Sequence, residues 1–258
     1  WQDRGWESLR PGGVTFELSN TAFDFKPQRR KLPADQDSVS FEMVPESDAY
    51  QIREIMGDSK YVYDTTIEKK DFPYLQWIDV TNTLKLVGDD GRLTVTKTWD
   101  DKGGDPKDRP SVSFQLLNGD GTPVKKEGQD WVVPLDTATN TAVFENVPMR
   151  TDGYIVKELI DSATNTYGYE ADEEQVIVPA DGTTAAFTNT RTIATVTVTK
   201  QIVDTTADSA AGLAQKFSFE VNGESSLPVG NGESASFEVK IGQEFELNEY
   251  DAKGNPLP

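Results

Sequence analysis

The chain has 258 residues, 36% hydrophobic and 27% charged, with a formal charge of −19 at pH 7, so it is long enough for two or three modest domains and is a poor match for nucleic acid or anionic membranes. It contains no cysteine and no histidine, which removes disulfides, thiol nucleophiles, His-assisted serine chemistry and imidazole metal sites. No apolar run approaches the roughly 20 residues of a membrane span, and with 44 Asp and Glu residues a carboxylate pair for glycoside hydrolysis has no distinguishing mark.

The first segment opens with Trp1 and RPGGVTFEL (10–18) and continues through SFEMVPESDAYQIREI (40–55), which contains Glu54. An aromatic-rich stretch (61–77) reads as strand and core. In DVTNT (79–83) and its flanks, Ile78, Val80, Asn82 and Leu84 share one face, because alternate residues of a strand point the same way. VGDDGR then leads into the second segment. In LTVTKTWDD (93–101), Leu93, Val95, Lys97 and Trp99 face one way and three threonines the other, so a lysine is in phase with the apolar set. A lone ammonium in a core costs several kcal/mol unless it is paired, neutralised or consumed.

Two partners are available on the same logic. In GYIVKELI (153–160), Tyr154, Val156, Glu158 and Ile160 share a face, and in TTAAFTNTR (183–191) Phe187 shares one with Asn189. The acidic, Gly-rich DDKGGDPKD (100–108) lacks the spacing of a calcium loop and reads as a solvated turn. Trp99 and Trp1 read as packing residues near the start of each repeat. In the third segment TVTVTK (195–200) places Val196, Val198, Lys200 and Ile202 in phase, ADSAAGLAQ (207–215) allows a turn of helix, and SFEVKIGQEFELNEY (236–250) contains Glu249.

These segments are copies of one layout. The spacing is 13 residues from Phe41 to Glu54, 14 from Phe144 to Glu158 and 12 from Phe237 to Glu249. DVTNT answers FTNT (187–190), TVTVTK answers LTVTK, and RPGGVTFEL answers RPSVSFQLL (109–117). The expected domains are 1–87, lacking its first strand and its lysine; 92–192, complete; and 193–258, lacking its last strand and its asparagine. Asn255 lies six residues after Glu249, whereas 28 and 31 residues separate glutamate from asparagine in the other copies, so it is not expected to substitute. Short strands rich in Val, Thr, Phe and Tyr, about seven per 100 residues, point to all-β, tandem immunoglobulin-like sandwiches. The short links imply stiff end-to-end stacking.

VTKTWDD, RPSVSFQLL, YIVKEL and FTNT together resemble the B-type repeat domain of Gram-positive collagen-binding surface proteins and pilins, the Cna B-type domain, three times over. The resemblance implies that a first-strand lysine and a last-strand asparagine form an intramolecular isopeptide bond assisted by a buried acid. By motif, Lys97 is the nucleophile, Asn189 the acceptor and Glu158 the acid. Glu54 and Asn82 correspond in the first copy, and Lys200 and Glu249 in the third, each pair lacking one member. The chemistry is sound in general terms, because burial lowers a lysine's pKa and raises a carboxyl's, so a buried pair can trade its proton and free an amine. The acid is expected to donate to the Asn189 carbonyl.

The plainer reading of the same residues is an ion pair with an amide completing its hydrogen bonds. The implied role is a structural stalk on a Gram-positive cell wall, not a conventional enzyme. It needs no cofactor and no metal, and it has no nucleic-acid or membrane partner. The stalk would be a monomer within a longer surface protein whose head, outside this chain, meets host matrix protein or glycan. A ligand-binding module and a pilus shaft subunit are the rival readings. With neither signal peptide nor sorting motif at its ends, the sequence reads as part of something longer.

Overall fold

The computed structural model describes residues 1–257 apart from 23, 34–35, 43, 46, 48, 73–74 and 204–213, and the side chains at 71–76 fall outside that description. Most of ADSAAGLAQ therefore lies outside the described residues, as does part of the aromatic stretch. Among the described residues regular structure is strand, apart from 3-10 turns at Glu7–Leu9 and Pro106–Asp108.

The first segment forms β1 (Val14–Asn20), β2 (Gln28–Leu32), β3 (Tyr50–Met56), β4 (Tyr63–Phe72) and β5 (Leu75–Leu84). One sheet runs β2-β1-β3, while β4 and β5 make a long antiparallel hairpin. Gln2 bridges Thr83 in parallel, which sets Trp1 beside Asn82. Trp77 departs from the expected core placement: it is 47% exposed and donates to Asp79 from its indole nitrogen. The pleat explains this, because Trp77 and Asp79 project from the face opposite Ile78, Val80 and Asn82.

The second segment is a sandwich built from β6 (Leu93–Asp100), β7 (Val112–Asn118), β8 (Lys125–Lys126), β9 (Gln129–Asp130), β10 (Val132–Pro134), β11 (Thr141–Phe144), β12 (Tyr154–Ile160), β13 (Tyr169–Ala171), β14 (Gln175–Val178) and β15 (Thr184–Arg191). Two four-stranded sheets, β10-β7-β12-β14 and β11-β6-β15-β13, face each other, with β8–β9 as a small ribbon. Their inward faces alternate as the sequence pattern requires. Leu93, Val95 and Phe187 come from one sheet and Phe114, Leu116 and Val156 from the other, all buried, and the Phe114 and Phe187 rings lie 5.2 Å apart. Burying each such side chain contributes about 1.5–3 kcal/mol.

The decisive pairing is β6 with β15, which is parallel, with Phe187 opposite Lys97 and Asn189 opposite Trp99. Parallel neighbours need a crossover connection, and here the crossover is the whole intervening sandwich. The first and last strands are thus adjacent at its centre.

The third segment contains β16 (Ile193–Thr199), β17 (Ser218–Val221), β18 (Glu224–Ser225), β19 (Ser234–Lys240) and β20 (Leu247–Tyr250). β16 pairs antiparallel with β19, and β17 lies between β18 and β20. Phe219, Val221, Phe237 and Val239 form its core. Among the described residues no strand occupies the other side of β16, where β15 lies beside β6 in the second segment.

The first two segments share one apolar cluster, in which Trp6, Leu84 and Val87 join Phe144 and Val147. Trp6 packs 5.6 Å from Trp131 and donates to the Asn146 carbonyl at 2.9 Å. Backbone bonds run from Val62 to Met149 and from Met149 to Lys85, and Val147 donates to Gly91, a turn residue at φ +75 whose missing side chain leaves room for Leu86. Arg150, buried and bidentate to Asp152, lies over the ring of Tyr61 at 4.9 Å. Trp6→Ala should therefore cost about 3–5 kcal/mol in urea unfolding; a loss below about 1 kcal/mol would show that this indole does not hold the two segments together.

Candidate functional site

Strand alternation delivers Lys97, Glu158 and Asn189 to one point. On β6 and β12 every second residue from Leu93 to Lys97 and from Tyr154 to Glu158 is buried, and on β15 Ala185, Phe187 and Asn189 are buried. Lys97 and Asn189 are diagonal neighbours on adjacent strands, and Glu158 reaches them from the facing sheet. The Lys97 and Glu158 side chains are 0% and 1% exposed, and Asn189 is 0% exposed.

Lys97 Nζ lies 2.7 Å from Glu158 Oε1, and Asn189 Nδ2 donates to that same oxygen at 3.3 Å. The Lys97 contact is close in distance but misdirected for a hydrogen bond. Nζ, Glu158 Oε2 and Asn189 Oδ1 are consequently all buried without a hydrogen-bond partner. Each such atom costs about 1–3 kcal/mol. Burial is the main influence on the Lys97 ammonium and pulls its pKa below 10.5, against the opposing pull of Glu158 and Asp172. The expected donation from the acid to the Asn189 carbonyl is not the arrangement found. A carboxylate paired with an ammonium can only accept, so the amide turns its nitrogen toward it.

The other two copies are partial. Asn82, buried, donates to Glu54 Oε1 at 2.8 Å, while its carbonyl accepts from Thr65 Oγ1 at 2.7 Å. Thr65 stands directly across the hairpin from Asn82. This amide is satisfied on both sides, unlike Asn189, although Glu54 Oε2 is unpartnered. In the third copy Lys200 pairs with Glu249, but the side chains are 18% and 29% exposed. Asn255 is exposed and donates to Asp251, so it serves a turn of its own.

Thr65 and Asp172 carried no sequence signal, since one sits in a threonine pair and the other in a run of acids. The acids of 100–108 serve protein partners: Asp101 holds Arg109, Asp105 caps the turn at Pro106–Asp108, and Asp108 holds Arg191. Among the described residues no helix is long and apolar enough to cross a membrane.

Residues 93–199 match the family model for the Cna protein B-type domain. This stretch is similar to a Cna B-type domain. It spans β6 through β16, so the buried triplet lies wholly inside it. Among curated proteins none matches the chain. Two B repeat units of the collagen-binding protein of Staphylococcus aureus align over 97% of this chain and 66% of theirs, at 18% identity and a TM-score of 0.31. The TIE protein of Bacillus anthracis aligns over 96% and 43%, at 16% identity and 0.35. The major pilin subunit of Bacillus cereus aligns over 70% and 60%, at 12% identity and 0.34. The chain thus spans less than two thirds of each of these three.

The first copy offers a pH test. Burial pushes the Glu54 carboxyl above 4.5, partly offset by the Asn82 hydrogen bond. A folded pKa above the unfolded one means that folding favours the neutral acid. That contribution is complete below the unfolded value and is lost as pH rises through the folded value. Glu54→Gln should therefore gain most over the parent at pH 7, and the gain should shrink toward pH 4.5 when followed by urea unfolding. A difference that does not vary with pH would show that burial exacts no penalty on this carboxylate.

Proposed function

We propose that this chain is a stalk region of a Gram-positive cell-surface protein, and that its Cna B-type domain locks itself with an amide bond between Lys97 and Asn189. The observation that carries this reading is the buried triplet with three unpartnered polar atoms. An arrangement built only as an ion pair gains nothing from leaving Nζ, Glu158 Oε2 and Asn189 Oδ1 all without hydrogen bonds. The matched domain supports the stalk role.

The reaction uses only what is present. The Lys97 ammonium passes a proton to Glu158, and the free amine attacks Asn189 Cγ. As the Nζ–Cγ bond forms and the Cγ–Nδ2 bond breaks, the Glu158 proton goes to Nδ2, which leaves as ammonia, and the surplus proton on Nζ returns to Glu158. No oxidant or cofactor enters. Holding amine and amide together on adjacent strands is worth up to ~7–11 kcal/mol of barrier, and the product removes a buried charge.

The linked ends are the first and last strands, so tension entering along β6 leaves along β15 through the cross-link. Closing a loop of about 100 residues contributes roughly 4–5 kcal/mol on the chain-entropy account, the role a disulfide plays in chains that have cysteine. Host-directed binding is assigned to a head outside this chain.

Intact mass under denaturing conditions should fall short of the sequence by one ammonia and no more, and Glu158→Ala and Lys97→Arg should restore the full mass. A parent at full sequence mass would reduce the triplet to a polar network. In single-molecule pulling, residues 97–189 should contribute no extension; their release as contour length would contradict the cross-link.

A further inference from the structure

Lys97 and Asn189 occupy one diagonal of a square of inward-facing residues on β6 and β15, and Trp99 and Phe187 occupy the other. Phe187 belongs to the core. Trp99 stands at the end of the strand, with its ring centroid 5.0 Å from Lys97 Nζ. The ring is braced from two sides. Tyr169 meets it edge-on at 5.3 Å, Arg109 lies over it at 5.5 Å, and Asp101 ties these two together. Asp101 accepts both Arg109 hydrogen bonds, at 3.0 and 2.6 Å, and one from the Tyr169 hydroxyl at 2.8 Å.

The same device is present in the first copy. Trp1 meets Tyr63 edge-on at 5.3 Å, Arg10 lies over Trp1 at 5.8 Å, and Arg10 donates from Nε and Nη2 to Asp3 Oδ2. Both tryptophans stand beside the asparagine of their copy. Two stretches of chain therefore place a tryptophan under an arginine and against a tyrosine beside the asparagine, although the Tyr63 hydroxyl donates to the Leu9 carbonyl where that of Tyr169 donates to Asp101. In the third copy Lys200 lies over Phe217 at 4.0 Å, a ring from a different strand, and its ion pair is partly exposed.

We propose that Trp99, held by Arg109, Asp101 and Tyr169, is a positioning residue of the Lys97–Asn189 coupling, its indole sealing the end of the sandwich over Nζ and confining the amine against the amide. This rests on the coupling reading above. The ring has two opposed effects. Its π face favours the ammonium, whereas its bulk keeps water from Nζ and so disfavours it. Burial is the first influence on Lys97, and the ring, 5.0 Å from Nζ, is one of the groups that bury it. The other titratable or charged groups around Nζ are Glu158 and Asp172, with Asp101, Arg109 and Tyr169 beyond the ring.

The test is a time course of ammonia loss in freshly synthesised full chain, quenched at intervals and weighed intact across a range of pH. Trp99→Leu should slow coupling by about tenfold or more and move its rate–pH profile upward as the amine becomes hydrated, whereas Trp99→Phe should retain most of the parent rate. Arg109→Met, which keeps the ring and removes its brace, should slow coupling by a smaller factor. Folding is checked by placing Trp99→Leu in a Glu158→Gln background, where neither protein can link; retention of a cooperative melt shows that the slow rate is not loss of fold. If that background unfolds, Arg109→Met decides the matter. A Trp99→Leu or Arg109→Met protein that couples at the parent's rate with the parent's pH profile overturns the proposal while leaving the coupling intact. A parent that never loses ammonia overturns the coupling reading and the proposal with it.

Discussion

The ammonium of Lys97 has no exposed side-chain surface, and its burial is the constraint on which the rest of the second segment depends. Removing such a charge from water costs several kcal/mol even after relaxation. The sandwich meets that cost with one carboxylate oxygen, which must serve both the ammonium and the Asn189 amide. That oxygen accepts from the amide and only faces the ammonium, so polar atoms on all three residues are left without hydrogen bonds. A structure held at this site by polarity alone would be poorly arranged; one that converts amine and amide into a neutral amide loses the charge and the mismatch together.

Topology makes that conversion geometrically available. Because β6 and β15 are parallel and adjacent, the first and last strands of the domain lie side by side, with the chain entering at one end of the pair and leaving at the other. A bond between them spans the domain without crossing its core, so the strands that would carry load are the strands that would be joined. The packing of Trp6 on Trp131 and of Arg150 on Tyr61 extends the same economy to the neighbouring segment, where a shared apolar cluster replaces a flexible linker.

The three copies differ in how far they approach the complete site. In the first, Thr65 supplies the hydrogen bond that Asn189 lacks, leaving an amide with no unmet demand on its carbonyl. In the third, solvent reaches both members of the Lys200–Glu249 pair, so water shares with the protein in stabilising their charges. Among the described residues the second combines charge, burial and amide.

The strand phases of Lys97, Glu158 and Asn189, the repeat spacing and the all-β class were legible in the sequence, because period-two alternation and turn composition are local properties. The residue types at those phases also indicated the candidate chemistry. Tertiary structure alone decided that β6 and β15 are parallel neighbours, that Glu158 comes from the opposite sheet, and that the Asn189 amide presents its nitrogen. It also left Trp77 exposed on its hairpin and gathered Asp101, Arg109 and Tyr169 about the ring of Trp99. Those outcomes depend on which distant strands pair and in what register. Alternation within one strand carries no information about that.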